Sequence, residues 1–369
     1  MKTRMAMLAL GICLMLALPG SQAGQGAVNI PTTNTYLPLI LKNSPSLLDS
    51  IAFLGWTESN TQDIFTMKAD GSQLHNLTSD PARMSSVTWS PDGAKIAFVS
   101  NWEGNNEIYT FNADGSNLSR LTFDPGSDSS PTWSPDGSHI AFSSNRSGTT
   151  QVYVMESDGN EVTLLTNLTS GCQYPRWSPA GDKIACTSEG AAYNDAEIYT
   201  LNPDGNNLTN LTVNAYYDRM LEWSPDGSQI LFKSNRDHDG EPLDLDLYVM
   251  NQNGSDVIRL TQGGSDKFAS WSPEGDRIVY SDWAIDHEGT FIINVDGSED
   301  TPLLCEAQVL QTYDPAWSPD GLQIAFSPST WVTDPDGTTG GIYTVNIDGS
   351  ECIQQVEMVA SNPIWAPGD

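Results

Sequence analysis

Short apolar runs separated by polar turns recur along the chain after residue 50. Within Pro131–Ser143, Pro-Thr-Trp-Ser is followed by Pro-Asp-Gly and then by Ile-Ala-Phe-Ser. Proline fixes φ and glycine accepts positive φ, so Pro135–Gly137 predicts a tight turn between two short strands. Gln151–Met155 then predicts a third strand, Asp158–Gly159 a hairpin turn and Thr163–Thr166 a fourth strand. The unit therefore predicts four short antiparallel strands.

The same unit recurs along nearly the whole chain. Its tryptophan is found at Trp89, Trp133, Trp177, Trp223, Trp271, Trp317 and Trp365. Successive tryptophans lie 44 to 48 residues apart, a period that indicates an array of similar units. Four-stranded antiparallel units at this period are typical of the blades of a β-propeller. The sequence therefore predicts an all-β fold, a β-propeller of four-stranded antiparallel blades.

Counting the signatures predicts seven blades. The second strand begins at Ile51, Ile96, Ile140, Ile184, Ile230, Ile278 and Ile324. The hairpin turn occurs at Asp70, Asp114, Asp158, Asp204, Asn253, Asp296 and Asp348. The strands that contain the tryptophans are offset from the second strands. No tryptophan strand precedes the second strand at Ile51, and no second strand follows the tryptophan strand at Trp365. We therefore expect the C-terminal strand at Asn362–Ala366 to pair with Ile51–Leu54 and close the ring, which leaves no inner edge open.

Several of these motifs together resemble a known repeat. They are Trp-Ser-Pro-Asp-Gly followed by Ile-Ala-Phe, then Ser144–Arg146, Glu107–Tyr109 and Asp114–Thr122. They resemble the TolB-type propeller repeat, also called the WD40-like or PD40 repeat, over residues 51–369. The resemblance implies the propeller fold. TolB proper has six blades behind an N-terminal α/β domain, so its role in the Tol-Pal system is not implied.

The N-terminus predicts export. Met1–Arg4 is basic, the run Met5–Leu18 is apolar, and Ser21–Ala23 offers a small-residue cleavage site. This arrangement is typical of a secretory signal peptide over residues 1–23, with cleavage near Ala23. The apolar run is short for a membrane span, and no other segment is apolar enough to cross. We therefore expect a protein without a membrane span, periplasmic or extracellular. Residues 24–50, rich in Pro, Thr, Asn and Ser, predict a linker.

The chain is strongly acidic. It has 47 acidic and 16 basic residues, for a net charge of −31. Such a surface repels the phosphate backbone, which argues against a nucleic-acid partner. It also attracts cations, and it keeps an exported protein soluble without any ligand.

Four cysteines follow the signal peptide, an even number that suits an oxidising compartment. Cys172 and Cys186 flank one turn, so a bridge between them is expected, although simple counting leaves them about three positions out of register. Cys305 and Cys352 fall at opposite ends of neighbouring blades, so no bridge is expected there.

One candidate site is the mouth of the central channel, where propeller loops converge. Carboxylates recur five residues before three of the tryptophans, with another nearby and basic residues interleaved. These residues are Asp128, Arg176, Asp218, Arg219, Asp266, Lys267 and Asp314. They predict a site for a protein, a small molecule or a glycan. The alternative is that each aspartate accepts hydrogen bonds from the backbone of its own loop.

A second candidate is a cation loop. Asn235, Asp237 and Asp239 precede Gly240, and Asp244 and Asp246 follow, at the spacing of a calcium-binding loop. The repeat partly explains Asn235 and Asp246, whereas the other three aspartates belong to an insertion. Ca²⁺ is the only cofactor predicted. The alternative is a solvated acidic loop.

Motifs for catalysis are missing from the sequence. The four histidines are scattered, and no Gly-x-Ser-x-Gly or paired-histidine motif occurs. The repeated tryptophans predict core packing, while Trp56, Trp102, Trp283 and Trp331 fall in loops and could contact a partner. We expect a monomeric, non-enzymatic exported scaffold that binds a protein or other ligand. One alternative, which a resemblance to seven-bladed lyase propellers implies, is a cation-dependent polysaccharide lyase of the oligogalacturonate type. The other is a purely structural envelope component.

Overall fold

The computed structural model describes residues 50–57, 61–79, 83–188, 195–238, 244–263, 266–283, 289–303, 312–328 and 340–368. The chain divides into a unit of residues 1–40, outside the described residues, and a second unit of residues 41–369. The described part of the second unit is all β and contains seven sheets of four strands. No helix that could cross a membrane occurs in this described part.

Each sheet is one blade, and its strands follow one another from the innermost to the outermost. Blade I is β28 (Ala360–Trp365), β1 (Ser50–Trp56), β2 (Gln62–Lys68) and β3 (His75–Asn76). Blade II is β4 (Met84–Trp89), β5 (Lys95–Ser100), β6 (Glu107–Asn112) and β7 (Ser119–Arg120). Blade III is β8 (Asp128–Trp133), β9 (His139–Ser144), β10 (Gln151–Glu156) and β11 (Thr163–Leu164). Blade IV is β12 (Gln173–Trp177), β13 (Ile184–Thr187), β14 (Ile198–Leu201) and β15 (Thr209–Asn210).

The remaining blades follow the same order. Blade V is β16 (Asp218–Trp223), β17 (Gln229–Ser234), β18 (Asp246–Asn251) and β19 (Ile258–Arg259). Blade VI is β20 (Asp266–Trp271), β21 (Arg277–Asp282), β22 (Gly289–Asn294) and β23 (Thr301–Pro302). Blade VII is β24 (Thr312–Trp317), β25 (Gln323–Pro328), β26 (Ile342–Asn346) and β27 (Ile353–Val356). The prediction of seven four-stranded antiparallel blades is confirmed.

Ring closure by the two chain ends is also confirmed. In blade I, β28 pairs antiparallel with β1, with Ile51 opposite Trp365 and Gly55 opposite Ala360. The Ala366 amide extends this pairing by donating to the carbonyl of Ser50 at 2.8 Å. The blade is therefore held together by strands from opposite ends of the propeller.

Apolar clusters between neighbouring blades form the core. On β5, Ile96 and Phe98 pack towards blade I, whereas Ala97 between them packs against Trp133 and Ile140 of blade III. This alternation follows from the period of two along a strand, which sends neighbouring side chains to opposite faces. Trp133 is only 7% exposed, as the core assignment of the repeated tryptophans predicts.

The turns between the first and second strands form a ring of contacts. A Cβ atom added to Gly137 would lie 3.8 Å from Cδ of Pro91 in the preceding blade. The same relation joins Gly93 to Pro367 near the C-terminus, with a closest distance of 3.8 Å. Gly137 has a φ of 69°, so glycine also suits the turn conformation. Each turn glycine therefore faces the turn proline of the preceding blade, and the ring includes the closing junction.

The innermost strands are bulged. Each shows a break in register with the second strand of its blade. In five blades a left-handed residue lies at the bulge: Ser86, Ser130, Tyr174, Asp314 and Asn362. A bulge bends the strand and changes which side chains face the channel.

The bulge in blade IV accounts for a disulfide. Cys172 and Cys186 are bridged, with their Cα atoms 5.8 Å apart. Tyr174, with a φ of 56°, lies at the bulge, where the register of β12 against β13 shifts by one residue. This shift brings Cys172 nearer to Cys186 than straight strands would. Cys352 is also disulfide-bonded, so the expectation that it forms no bridge is wrong. Cys305 lies outside the described residues.

Candidate ligand-binding channel

The aspartates that begin the innermost strands are buried and paired. Asp128 and Asp218 are fully buried. Asp128 accepts a hydrogen bond from Arg146 at 2.7 Å. Asp218 accepts one from Arg236 at 2.8 Å and another from Asn214 at 2.6 Å. These two carboxylates therefore neutralise arginines inside their blades and do not present free charge to the channel.

The paired arginines have a second structural contact. The Arg146 guanidinium lies 4.9 Å from the ring centre of Tyr153, and that of Arg236 lies 5.0 Å from the ring centre of Tyr248. The Ser-Asn-Arg motif thus connects the buried aspartate to the aromatic pair of the second and third strands. For the third aspartate, Asp266, the structure describes only the backbone at the start of β20, and Lys267 is likewise described only by its backbone.

Asp314 lies at the bulge of β24. It is in the left-handed region, with a φ of 49°, and is half-buried. Burial raises the pKa of its carboxyl to about 6, although the backbone N–H of Asn362 donates to it and opposes the rise. The charged form of Asp314 is therefore disfavoured in the folded protein.

Replacing Asp314 with Asn is expected to stabilise the protein at pH 7 and to have little effect below about pH 4. Between the unfolded pKa of 3.8 and the folded pKa of about 6, the folded state holds a proton that the unfolded chain has released. The contribution of Asp314 is thus complete at low pH and is lost as pH rises through about 6. After allowance for partial exposure, we expect a gain of about 1–2 kcal/mol.

Melting temperatures of Asp314→Asn and of the wild type, measured from pH 4 to pH 8, test this expectation. Asparagine keeps an oxygen acceptor for the Asn362 amide and tolerates the left-handed conformation. A difference between the two proteins that stays constant with pH would show that the Asp314 carboxyl does not titrate in this range.

A cavity of about 540 Å³ lies within the channel. Its wall is formed by residues that immediately precede the repeated tryptophans, by the tryptophans themselves and by the turn prolines. The residues of the first kind are Thr132, Arg176, Glu222, Ser270, Ala316 and Ile364. A second cavity of about 290 Å³ shares Thr132, Trp133, Ile364 and Trp365 with it. The channel can therefore admit a ligand at the end bounded by the proline turns.

Arg176 and Glu222 are the charged residues of this wall. Arg176 is exposed to the cavity, and its Nη1 donates to the carbonyl of Pro175 at 3.0 Å. The surrounding protein lowers the pKa of the Arg176 guanidinium, chiefly by desolvation, with Glu222 opposing and Arg219 adding to this effect. Because the cavity admits water, the shift is moderated, and the guanidinium keeps its charge at neutral pH.

Glu222 is turned towards blade VI. Its Oε2 accepts a hydrogen bond from the Trp271 amide at 2.9 Å, and its carboxylate also accepts one from the Ser270 hydroxyl. Burial raises the pKa of the Glu222 carboxyl, while these hydrogen bonds and the charge of Arg176 oppose the rise. Glu222 thus has protein donors of its own and forms no ion pair with Arg176.

The structure brings two of the predicted basic residues together. Arg219 of β16 lies with its guanidinium 4.4 Å from the ring centre of Tyr174 in blade IV. It is also close enough to Arg176 to lower the pKa of that group. Arg176 and Arg219 therefore lie close together, and Glu222, which was not among the predicted residues, lines the cavity with Arg176. A binding role for the predicted mouth stays a prediction. The sequence did contain a signal for Glu222: it is charged, whereas most blades have a neutral residue just before the tryptophan.

The described residues of the predicted calcium loop contact other groups of the protein. Asn235 Oδ1 accepts from the Tyr217 amide at 2.8 Å, as Asn145 does from Ser127 at 2.7 Å. Asp246 is fully buried and contacts Arg259 and His238. Asn235 therefore has a role shared with the repeat.

The other predicted ligands are only partly described. Asp237 accepts a hydrogen bond from the Tyr248 hydroxyl at 2.6 Å. Asp244 is exposed, and Asp239 lies outside the described residues. Among the residues that the structure describes, no group of three acidic, histidine or cysteine side chains could hold a metal ion. Calcium binding by this loop stays a prediction.

Two of the loop tryptophans are packed against other rings. Trp102 makes an edge contact with Tyr109 at 4.9 Å, and Trp283 makes one with Tyr313 at 4.5 Å. Trp56 is part of β1, and Trp331 lies outside the described residues. Trp102 and Trp283 therefore have packing roles that weaken their case as contacts for a partner.

Comparison with known proteins identifies the fold family. The profile of the TolB β-propeller domain, PD40, matches residues 48–192 and 165–368. No curated protein sequence matches the chain. TolB from Acinetobacter baumannii is similar in structure, with a TM-score of 0.53 and 20% identity over 87% of this chain and 67% of that one.

Two enzymes share the fold. Oligogalacturonate lyase from Vibrio parahaemolyticus has a TM-score of 0.63 and 14% identity, covering 80% of this chain and 86% of that one. A puromycin-hydrolysing peptidase from Mycobacterium tuberculosis has a TM-score of 0.65 and 12% identity, covering 87% of this chain and 53% of that one. At such identities the likeness concerns the fold alone. The match of the PD40 profile to most of the chain shows that this protein belongs to the TolB β-propeller family.

Proposed function

We propose that this chain is an exported, non-enzymatic scaffold that binds its partner or ligand in the central cavity. The observation that carries the proposal is the cavity of about 540 Å³ with a charged arginine on its wall. Pockets of this size, with a few polar groups on an otherwise apolar wall, are typical of binding sites.

Comparison among the blades supports the cavity as the site. In five blades the residue before the tryptophan is neutral, namely Thr88, Thr132, Ser270, Ala316 and Ile364. Only blades IV and V carry charged residues there, Arg176 and Glu222. The repeat does not require charge at this position, because five blades fold without it. Charge at the cavity wall is therefore better explained by binding than by the fold.

Export is part of the proposal. The N-terminal sequence favours a cleaved signal peptide over residues 1–23, and the net charge of −31 favours solubility outside the cytoplasm and disfavours nucleic acid. The disulfide between Cys172 and Cys186 suits an oxidising compartment such as the periplasm or the cell exterior. We expect a monomer whose partner is a protein or another ligand at the channel.

Filling the cavity is expected to abolish capture of the partner without unfolding the propeller. The Thr132→Trp variant places a large ring in the cavity wall, while Thr163→Trp makes the same change on the exposed outer strand β11. Residues 24–369 of each variant and of the wild type would be immobilised and exposed to the envelope fraction of the source cells. We expect the wild type and Thr163→Trp to retain the same protein or glycan, and Thr132→Trp to lose it.

Melting curves of the three proteins complete the experiment. Equal melting temperatures together with selective loss of capture would support binding in the cavity. Undiminished capture by a folded Thr132→Trp protein would contradict it and would direct attention to the outer surface of the blades.

A further inference from the structure

The arginines of the propeller differ in how their charge is balanced. Arg120, Arg146 and Arg236 each form an ion pair with a buried carboxylate of their own blade. Arg176 forms no ion pair with any carboxylate among the described residues, although it lines the central cavity. A charge held in partly desolvated surroundings without a counter-charge is unfavourable unless something else compensates it.

Most of the hydrogen-bonding capacity of Arg176 is unused by the protein. A guanidinium carries five N–H donors, and the structure shows one bond, from Nη1 to the Pro175 carbonyl. Glu222, the nearest acidic residue on the cavity wall, is engaged by the Trp271 amide and the Ser270 hydroxyl. The planar guanidinium of Arg176 can therefore donate two parallel hydrogen bonds to a carboxylate.

We propose that the central cavity binds a small organic molecule through a carboxylate group held by Arg176. This inference rests on the proposed function, since it assumes that the cavity is the binding site and adds the chemistry of the ligand. The cavity of about 540 Å³ has the size of a small-molecule site. Ile364, Ala316 and the turn prolines offer apolar contact for the rest of the molecule.

The charges around the cavity favour a single carboxylate over a phosphate. Glu222 contributes negative charge on the adjacent blade, and the protein as a whole carries a net charge of −31. A dianion would meet repulsion from both, whereas one guanidinium matches one carboxylate in charge and in shape. Arg219, close to Arg176, adds positive charge on the same side of the channel.

The strand that carries Arg176 is fixed at several points. The disulfide between Cys172 and Cys186 ties β12 to β13 just before the bulge. The ring of Tyr174 at the bulge contacts the Arg219 guanidinium of blade V at 4.4 Å. A binding group held in place by its surroundings loses little conformational entropy when the ligand arrives. Arg176 is thus prepared for binding before any ligand is present.

Tryptophan fluorescence provides a direct test, because Trp177 and Trp223 form part of the same wall as Arg176. The protein of residues 24–369 would be titrated with sodium acetate, hexanoate and benzoate at constant ionic strength, and in parallel with the corresponding neutral amides. We expect a saturable change with at least one carboxylate and a much weaker response to its amide. Equal responses to acid and amide, or no saturable response to any of the three carboxylates, would overturn the proposal.

The Arg176→Met variant tests the residue itself, with Arg83→Met, an exposed arginine on a loop of blade II, as the matched control. We expect Arg176→Met to weaken carboxylate binding about tenfold to a hundredfold, and Arg83→Met to leave it unchanged. The melting temperature of Arg176→Met should stay the same or rise, because Arg176 has no ion pair to lose. A clear fall in melting temperature would mean that Arg176 is structural, which would also overturn the proposal.

The two proposals can fail separately. If Thr132→Trp loses its partner while Arg176→Met still captures it, the cavity binds but a carboxylate is not what it recognises. If Thr132→Trp still captures the partner, the proposed function fails, whatever the carboxylate titrations show.

Discussion

Deletion of residues 361–369 is expected to abolish the cooperative unfolding of the propeller. The deletion removes nearly all of β28, the innermost strand of blade I, and exposes the edge of β1. It also removes Trp365 and Ala366, which pack into the core clusters on either side of blade I. The turn contact between Pro367 and Gly93 is lost as well. An open inner edge and unpaired apolar surface favour aggregation.

Thermal melting followed by circular dichroism, with light scattering on the same samples, measures this effect. Removal of residues 368–369 alone serves as the control, because it keeps β28 and Pro367, and it should melt nearly as the full-length chain does. A protein lacking residues 361–369 that melts cooperatively at the wild-type temperature would show that blade I does not depend on β28.

Replacing Asp218 with alanine is expected to destabilise the protein by about 3–5 kcal/mol, the usual cost of breaking a buried ion pair from one side. Asp218 is fully buried between Arg236 at 2.8 Å and Asn214 at 2.6 Å. Its removal leaves the Arg236 guanidinium without a counter-charge. Asp128→Ala should behave alike, since Asp128 holds Arg146 in blade III.

The double variant Asp218→Ala/Arg236→Met should recover part of the loss, because it no longer leaves a buried charge unpaired. Glu156→Ala, an exposed change at the end of β10, is the control and should alter stability by less than about 0.5 kcal/mol. Unfolding in guanidinium chloride of the wild type, Asp218→Ala, the double variant and Glu156→Ala measures these differences in the free energy of unfolding. If Asp218→Ala kept full stability but lost partner capture, Asp218 would belong to a binding site after all.

The repeat explains why the fold could be predicted from the sequence. Every blade carries its own tryptophan, turn and hairpin signals, so the sequence contains seven sets of signals for seven blades. The second strand at Ile51 and the tryptophan strand at Trp365 each lacked a neighbour in sequence. Pairing these two strands with each other was the one arrangement that used both. Local signals of this kind are readable because turns depend on a few residues with special backbone preferences.

The site was less predictable, because it depends on bulges and on contacts between distant loops. The predicted carboxylates lie five residues before the tryptophans, and two of them, Asp128 and Asp218, are paired with arginines from another loop of the same blade. The cavity is instead lined one residue before the tryptophan, on the other side of the bulge. The same bulge shifts the register of β12 by one residue and brings Cys172 nearer to Cys186, which counting along straight strands could not show.

Closure by strands from both ends of the propeller also has a consequence for folding. Blade I needs β28, so its sheet cannot be completed until that strand has been synthesised. Contacts between residues far apart in sequence, such as Ile51 with Trp365, close the longest loop, so we expect them to form after the contacts within single blades. Blades II to VII each take their strands from one continuous stretch and can form earlier. The ring can therefore close only when β28 is available to pair with β1.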